Sequence, residues 1–212
     1  MGHHLGVSHV LRIVPPDEER DDAGMTATDD VRLVTGLWAR ERSAVSALVE
    51  RHGGHVRRVL IRVLGGNDSE LADVIQDVFV NAWEAIDGLT EPRALKAWLT
   101  QIAIFTARKA IRRRHRRRWL TFLDTVPEPE VAWAGNDLHE AAACVYRILD
   151  RMPVDERIPF VLRSLEGLDL EATAAACGMS LATVRRRLVR AERRFFKMAR
   201  QFEALVPWLE TR

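Results

Sequence analysis

Six of the seven residues from Arg112 to Arg118 are arginine, within AIRRRHRRRW (110–119), and a second cationic window, RRRLVRAERRFFKMAR, fills 185–200. Such side chains bind rather than catalyse: guanidinium groups hold phosphates, stack on planar bases, or donate paired hydrogen bonds to guanine. Residues 108–118 hold eight basic groups and no acid, and 185–200 hold eight against Glu192 alone. Elsewhere 16 basic residues face 29 acidic ones, so the net charge of +2 conceals two cationic patches on an acidic body. That distribution points to nucleic-acid contact at two places, or to two solvated helix faces. A bare run such as 112–118 also fits a targeting tag or a solvated tail. The elements that carry each run must decide.

Nearly every patterned segment has the helical period and no alternating strand pattern stands out, so the fold class is all-α: two small helical domains joined by a flexible linker. Residues 1–28 read as a flexible leader containing the acidic DEERDD. From Asp29, helices are expected to break near Gly53-Gly54 and end at Gly65-Gly66. A further helix starts at the capping residues Asn67, Asp68 and Ser69 and closes at Gly88. Its apolar stripe is Leu71, Val74, Ile75, Val78, Phe79, Ala82, Trp83 and Ile86, with Asp73, Gln76, Asp77, Asn81 and Glu84 opposite. In LKAWLTQIAIFTARKAIRRRHRRRW the buried face is Leu95, Trp98, Leu99, Ile102, Thr106 and Ala110, so the arginine run ends an amphipathic helix. Cations suit a helix C-terminus, but six exceed what capping requires. Residues 120–138, with Pro127, Pro129, Gly135 and several acids, form the candidate linker between domains 29–119 and 139–200, and 201–212 form a tail.

The second domain carries LDLEATAAACGMSLATVRRRLVRAERRF. Leu170–Cys177 forms a short helix, Gly178 the turn, and Ser180 caps a second helix. Counting from Leu170, Ala174 is fifth, Gly178 ninth and Val184 fifteenth, where a helix-turn-helix needs a small residue, a turn former and a branched apolar lock. Ser180, Ala182, Thr183, Arg185, Arg186, Arg187 and Arg190 are then available to duplex DNA, while Val184, Leu188 and Ala191 face inward. Arg193, Arg194, Lys197 and Arg200 are phosphate contacts or solvated charges.

No HExxH motif, phosphate-gripping glycine loop or carboxylate-metal cluster appears, so no catalytic residue, cofactor or metal is expected. Cys144 and Cys177 are too far apart for a CxxC site, and Cys177 reads as a small buried residue in a reducing cytoplasm. His52 and His55 flank the glycine pair and read as surface histidines. No run of about 18 apolar residues suggests membrane insertion.

In order and spacing these segments resemble an extracytoplasmic-function sigma factor, the small promoter-specificity subunit of bacterial RNA polymerase. ADVIQDVFVNAWEAI resembles the core-binding helix, AWLTQIA…IRRR the promoter-melting and minus 10 helix, and LDRMPVDERIPFVLRSLEGLDLEATAAACGMSLATVRRRLVRAERR the minus 35 domain. The resemblance implies that Asp73, Gln76, Asp77 and Asn81 dock on core polymerase. It implies that Gln101, Phe105, Arg108, Arg112 and Arg113 meet the opened minus 10 strand, where an amide, a ring and cations on one stripe suit single-stranded DNA. It points to Thr90, Glu91, Pro92 and Arg93 for a flipped base, and to an anti-sigma factor or other regulator as a further partner. The sequence departs from the family at Ile102-Ala103-Ile104-Phe105 and Lys109, where Ile-Ala-Arg-Asn and then Asp are common, implying an atypical minus 10 preference. The acidic linker either threads toward the polymerase channel or folds back on the cationic patches. The other reading is a polymerase-independent helix-turn-helix repressor with a regulatory N-terminal domain. The tail, with Phe202, Leu205 and Trp208, is expected to pack on the body.

Overall fold

A computed structural model describes residues 27–64, 70–120 and 137–210. Nearly all of the leader, the glycine and capping residues at 65–69, and nearly all of the linker lie outside them. Among the described residues the secondary structure is helical: α1 (Ala27–Trp38), α2 (Arg42–Leu64), α3 (Leu71–Ala85), α4 (Leu95–Leu120), α5 (Asp137–Arg151), α6 (Val154–Ser164), α7 (Leu170–Cys177), α8 (Leu181–Ala199) and α9 (Val206–Glu210), with short 3-10 turns between some of them.

The first lobe is a bundle of α1–α4. Asp29 and Asp30 sit in the first turn of α1, where carboxylates complement the helix dipole. Leu48, Val56, Val59, Leu60 and Val63 of α2, Val74, Val78 and Ala82 of α3, and Leu95, Leu99, Ala103 and Ala107 of α4 are buried. Arg40 closes the α1–α2 corner in a left-handed conformation, φ 59°. Its guanidinium donates to the Trp83 carbonyl at 2.7 Å, reaches Asp87 Oδ2 at 2.6 Å and lies 5.1 Å from the Trp83 ring centroid.

Two expectations are corrected in this lobe. Helix α2 runs unbroken through Gly53 and Gly54. Two glycines cost a helix about 1 kcal/mol each relative to alanine, but each buried Leu or Val nearby returns about 1.5–3 kcal/mol. The flanking histidines are buried rather than superficial. His52 Nε2 lies 3.7 Å from Asp30 Oδ1, and His55 Nε2 shares a 2.8 Å hydrogen bond with Thr100 Oγ1.

The second lobe gathers α5–α8 around Phe160 and Phe195, whose rings are 5.2 Å apart. The tail turns back after α8 through Glu203–Leu205, which packs on α5 and buries Leu205, as expected. The lobes touch: α4 packs on α7, and α2 packs on α5 and α6.

Candidate nucleic-acid interface

The turn between α7 and α8 is built by local chemistry. Asp169 caps α7, its Oδ1 accepting the Ala172 N–H at 2.7 Å. Gly178 ends that helix in the left-handed region, φ 61° and ψ 41°, so the Gly178 and Met179 amides bond back to the Ala175 and Ala174 carbonyls at 3.0 Å each. Ser180 then caps α8, accepting the Thr183 N–H at 3.3 Å, and its hydroxyl lies 2.9 Å from that of Thr183. Ala174 and Val184 are buried, as a tight helix crossing requires.

This brings Ala182, Arg185, Arg186 and Arg190 onto the exposed side of α8. Arg187 is the correction in this group. Its Nη1 reaches the Asp155 carboxylate at 3.2 Å, the Asp155 carbonyl at 3.3 Å and Met179 Sδ at 3.3 Å, which makes it an internal strut between α8 and α6. Arg194 is similarly tied to Glu156, at 2.8 Å. Sequence patterning missed Leu181 and Val189, apolar yet 39% and 48% exposed on the same helix. Their signal was faint: both fall just outside the inward-facing series.

On α4, Gln101 and Arg112 are exposed and Phe105 is 60% exposed, which sets aside a core role for the ring. Gln101 and Phe105, with Trp98, Ile102, Asn81 and Glu84, border an open groove of about 460 Å³ between α3 and α4. Asn81 therefore lies on the α4 side of α3 rather than with the other docking residues, and donates to Thr106 Oγ1 at 3.1 Å. Lys109, one helical turn after Phe105, is also exposed. Arg113 reaches Glu70 at 3.1 Å. Arg108 turns away from the groove and donates to the Cys177 carbonyl, at the C-terminus of α7, at 2.8 Å. Its placement with Gln101 and Phe105 is thus corrected for this conformation.

Around that seat the second lobe closes on the first. Arg62 pairs with Glu166, Arg58 Nε lies 3.8 Å from the same carboxylate, and Arg62 also reaches the Leu165 carbonyl at 3.3 Å. All three charged side chains are nearly excluded from solvent. Burial pushes the Cys177 thiol up to about 11, against the opposing pull of Arg108, so it is an inert thiol at neutral pH. Burial lowers the pKa of Arg157, which Asp150 opposes and the like charge of Arg114 reinforces.

On α3, Asp73, Gln76 and Asp77 are exposed along one face, and Val80, 47% exposed, gives that strip an apolar end that its sequence pattern did not flag. Among the described residues no group of His, Cys, Asp or Glu could hold a metal ion, and no helix is long and apolar enough to cross a membrane.

A helix-turn-helix with a cationic outer face, joined to a helical bundle bearing an aromatic groove, defines a two-lobed helical protein of the nucleic-acid-binding class. Comparison with known proteins narrows the class. Residues 48–117 match the Sigma-70 region 2 family model and residues 142–195 the Sigma-70 region 4 model. The chain is 30% identical over 176 residues to the ECF RNA polymerase sigma-E factor of Escherichia coli K12, covering 77% of this chain and 90% of the relative. The sigma-E factor of Haemophilus influenzae is 28% identical over 176 residues, with 76% and 90% covered. Among solved structures, CnrH in complex with the cytosolic domain of CnrY aligns with a TM-score of 0.58 at 26% identity, covering 81% of this chain and 97% of CnrH. The sigma factor RpoE of Bartonella quintana, in complex with the anti-sigma factor NepR, aligns at a TM-score of 0.55 and 24% identity, covering 69% and 90%. The chain belongs to the extracytoplasmic-function sigma factors of RNA polymerase, and the repressor reading is not favoured.

Proposed function

We propose that the first lobe docks on core polymerase through Asp73, Gln76, Asp77 and Val80, which present carboxylates, an amide and an apolar end on one exposed face of α3. Charged hydrogen bonds to basic partner residues, about twice as strong as neutral ones, fit that face. Asn81 acts from the groove side. The opened minus 10 strand runs along Gln101, Phe105, Lys109 and Arg112, with a base stacked on Phe105 and cations on phosphates. The loop Thr90–Arg93, which leads into α4, supplies flanking contacts to that strand. The minus 35 duplex takes α8 in its major groove, with Arg185, Arg186 and Arg190 outward, while Ser180 and Thr183 fix the helix start and Arg187 its packing.

The domain limits we assign are 29–119 and 139–200, with the linker between them. The chain does no covalent chemistry, works in the cytoplasm and answers to a regulator of the anti-sigma class, as the complexes of CnrH with CnrY and of RpoE with NepR suggest by analogy.

The observation that carries this reading is the exposed Phe105 beside the groove, on the chain that also holds the helix-turn-helix. Core-polymerase binding by the purified protein tests it. Reversing Asp73 and Asp77 to lysine should abolish co-elution with core polymerase while leaving duplex minus 35 binding intact. Undiminished co-elution would remove α3 as the docking face.

A further inference from the structure

Arg40 is the only non-glycine residue with a left-handed backbone among the described residues, φ 59°. It stands where α1 ends. The Glu41 amide bonds to the Gly36 carbonyl and the Arg40 amide to the Leu37 carbonyl, both at 3.0 Å, the pair of bonds that closes a helix on a left-handed residue. Glycine usually holds that place, because a Cβ is strained there and the closing bonds need no side chain. Strain of this kind persists where the surroundings over-determine it, so the Arg40 side chain must matter for what it reaches.

It reaches the end of α3. The guanidinium donates to the Trp83 carbonyl, pairs with Asp87 and lies over the Trp83 ring, and a cation suits the C-terminal end of a helix. Stability is a poor account of this bridge. The Arg40 and Asp87 side chains are 42% and 70% exposed, and ion pairs so open to water contribute little. Position is a better account, because α1 holds both ends of the segment between α3 and α4. At its start, Trp38 Nε1 donates to the Ile86 carbonyl at 3.3 Å, and buried Leu89 bonds through its amide to the same carbonyl at 3.0 Å. At its end, α1 packs on the turn Pro92–Ala94, where the Ala94 amide bonds to the Glu91 carbonyl at 2.9 Å. Thr90, Glu91 and Arg93 are left exposed between these anchors.

We propose that Arg40 is a positioning residue for promoter recognition: by tying the corner after α1 to Trp83 and Asp87, it holds Thr90–Arg93 in the form that receives a base flipped out of the opened strand. The inference rests on the reading that this loop meets the minus 10 strand. A loop held in its binding form before DNA arrives loses less freedom on binding, so the bridge acts on DNA affinity while scarcely changing the stability of the fold.

The test compares the full chain with Arg40→Gly, Asp87→Ala and the double variant. Glycine suits the left-handed backbone, so Arg40→Gly should have a urea midpoint no lower than the parent's. Hydrogen exchange should show the Leu89 and Ala94 amides opening about tenfold faster in each variant, with the amides of α4 unmoved. Anisotropy titrations use a labelled single strand bearing a mapped minus 10 element, with one base removed at a time. Loss of the captured base should cost the parent about tenfold, whereas Arg40→Gly should bind the intact strand about tenfold more weakly and be indifferent to that loss. Adding Asp87→Ala should change nothing further, because both substitutions break one bridge. Sensitivity at the base stacked on Phe105 should persist in every variant. Loop amides as slow in Arg40→Gly as in the parent would overturn the proposal, as would an Arg40→Gly chain that keeps the full penalty for the captured base. A lower midpoint with faster exchange throughout the first lobe would also overturn it, making the bridge part of the fold. A parent with no sensitive base beyond the one on Phe105 would sink the reading of the loop as a DNA contact, leaving hydrogen exchange to judge whether Arg40 sets its shape.

Discussion

Pro159 and Arg187 complete one another. Proline inside α6 has no N–H to offer the Asp155 carbonyl four residues back, and Arg187 Nη1 of α8 approaches that carbonyl at 3.3 Å while pairing with the Asp155 carboxylate. A residue that looks from sequence like one more DNA contact is thereby tied to the fold of the second lobe.

Arg187→Ala should therefore cost about 0.5–1.5 kcal/mol of stability by removing the donor that ties α8 to the exposed Asp155 of α6. Arg185→Ala should leave the urea midpoint nearly unchanged and instead relax sequence preference at one minus 35 position, with a loss of about 1–3 kcal/mol in binding. Denaturation curves and binding to a set of single-base minus 35 variants separate the two. Equal stability of both mutants would contradict the strut.

Glycine substitutions should act with opposite signs. A Cβ added at Gly53 or Gly54 meets nothing within 4 Å and neither has a left-handed φ, so Gly53→Ala should stabilise α2 by about 0.5–1 kcal/mol. Gly178→Ala forces a side chain into φ 61° and should destabilise by about 1–2 kcal/mol. Thermal denaturation of the two mutants checks the signs.

Phe105→Ala should lower affinity for a single-stranded minus 10 oligonucleotide by about 1–3 kcal/mol, the worth of one base stacked on an aromatic ring. Because the ring is 60% exposed, the melting temperature should scarcely move. A mutant that melts early but binds normally would return Phe105 to the core.

The turn of the helix-turn-helix was legible because three local requirements coincide at Ala174, Gly178 and Val184, and none depends on distant residues. The long helix through Gly53 and Gly54 is not legible locally, because glycine's cost is visible in the sequence while the burial of Leu48, Val56 and Val59 around it is not. His52 and His55 read as surface groups for the same reason: Asp30 and Thr100 reach them from elsewhere in the chain. Arg108 shares a helical stripe with Phe105, and periodicity cannot distinguish them. Only the packing of α7, some seventy residues on, pulls one inward and leaves the other exposed.

Val189 is exposed on the same helix as Arg185 and Arg186, and the proposed docking of α8 in the major groove predicts that it meets a thymine methyl. Replacing minus 35 thymines by uracil one at a time should weaken binding of the parent protein at one position and leave Val189→Ala indifferent there. Equal sensitivity of parent and mutant at every position would rule the contact out.

The central claim is most directly tested by adding the purified chain to core polymerase and mapping transcript starts on genomic fragments. The account predicts discrete starts that require both a minus 35 and a minus 10 element, with transcription from those starts weakened in Phe105→Ala. A chain that yields no promoter-dependent transcript, and alone footprints a two-fold symmetric duplex site, would contradict it.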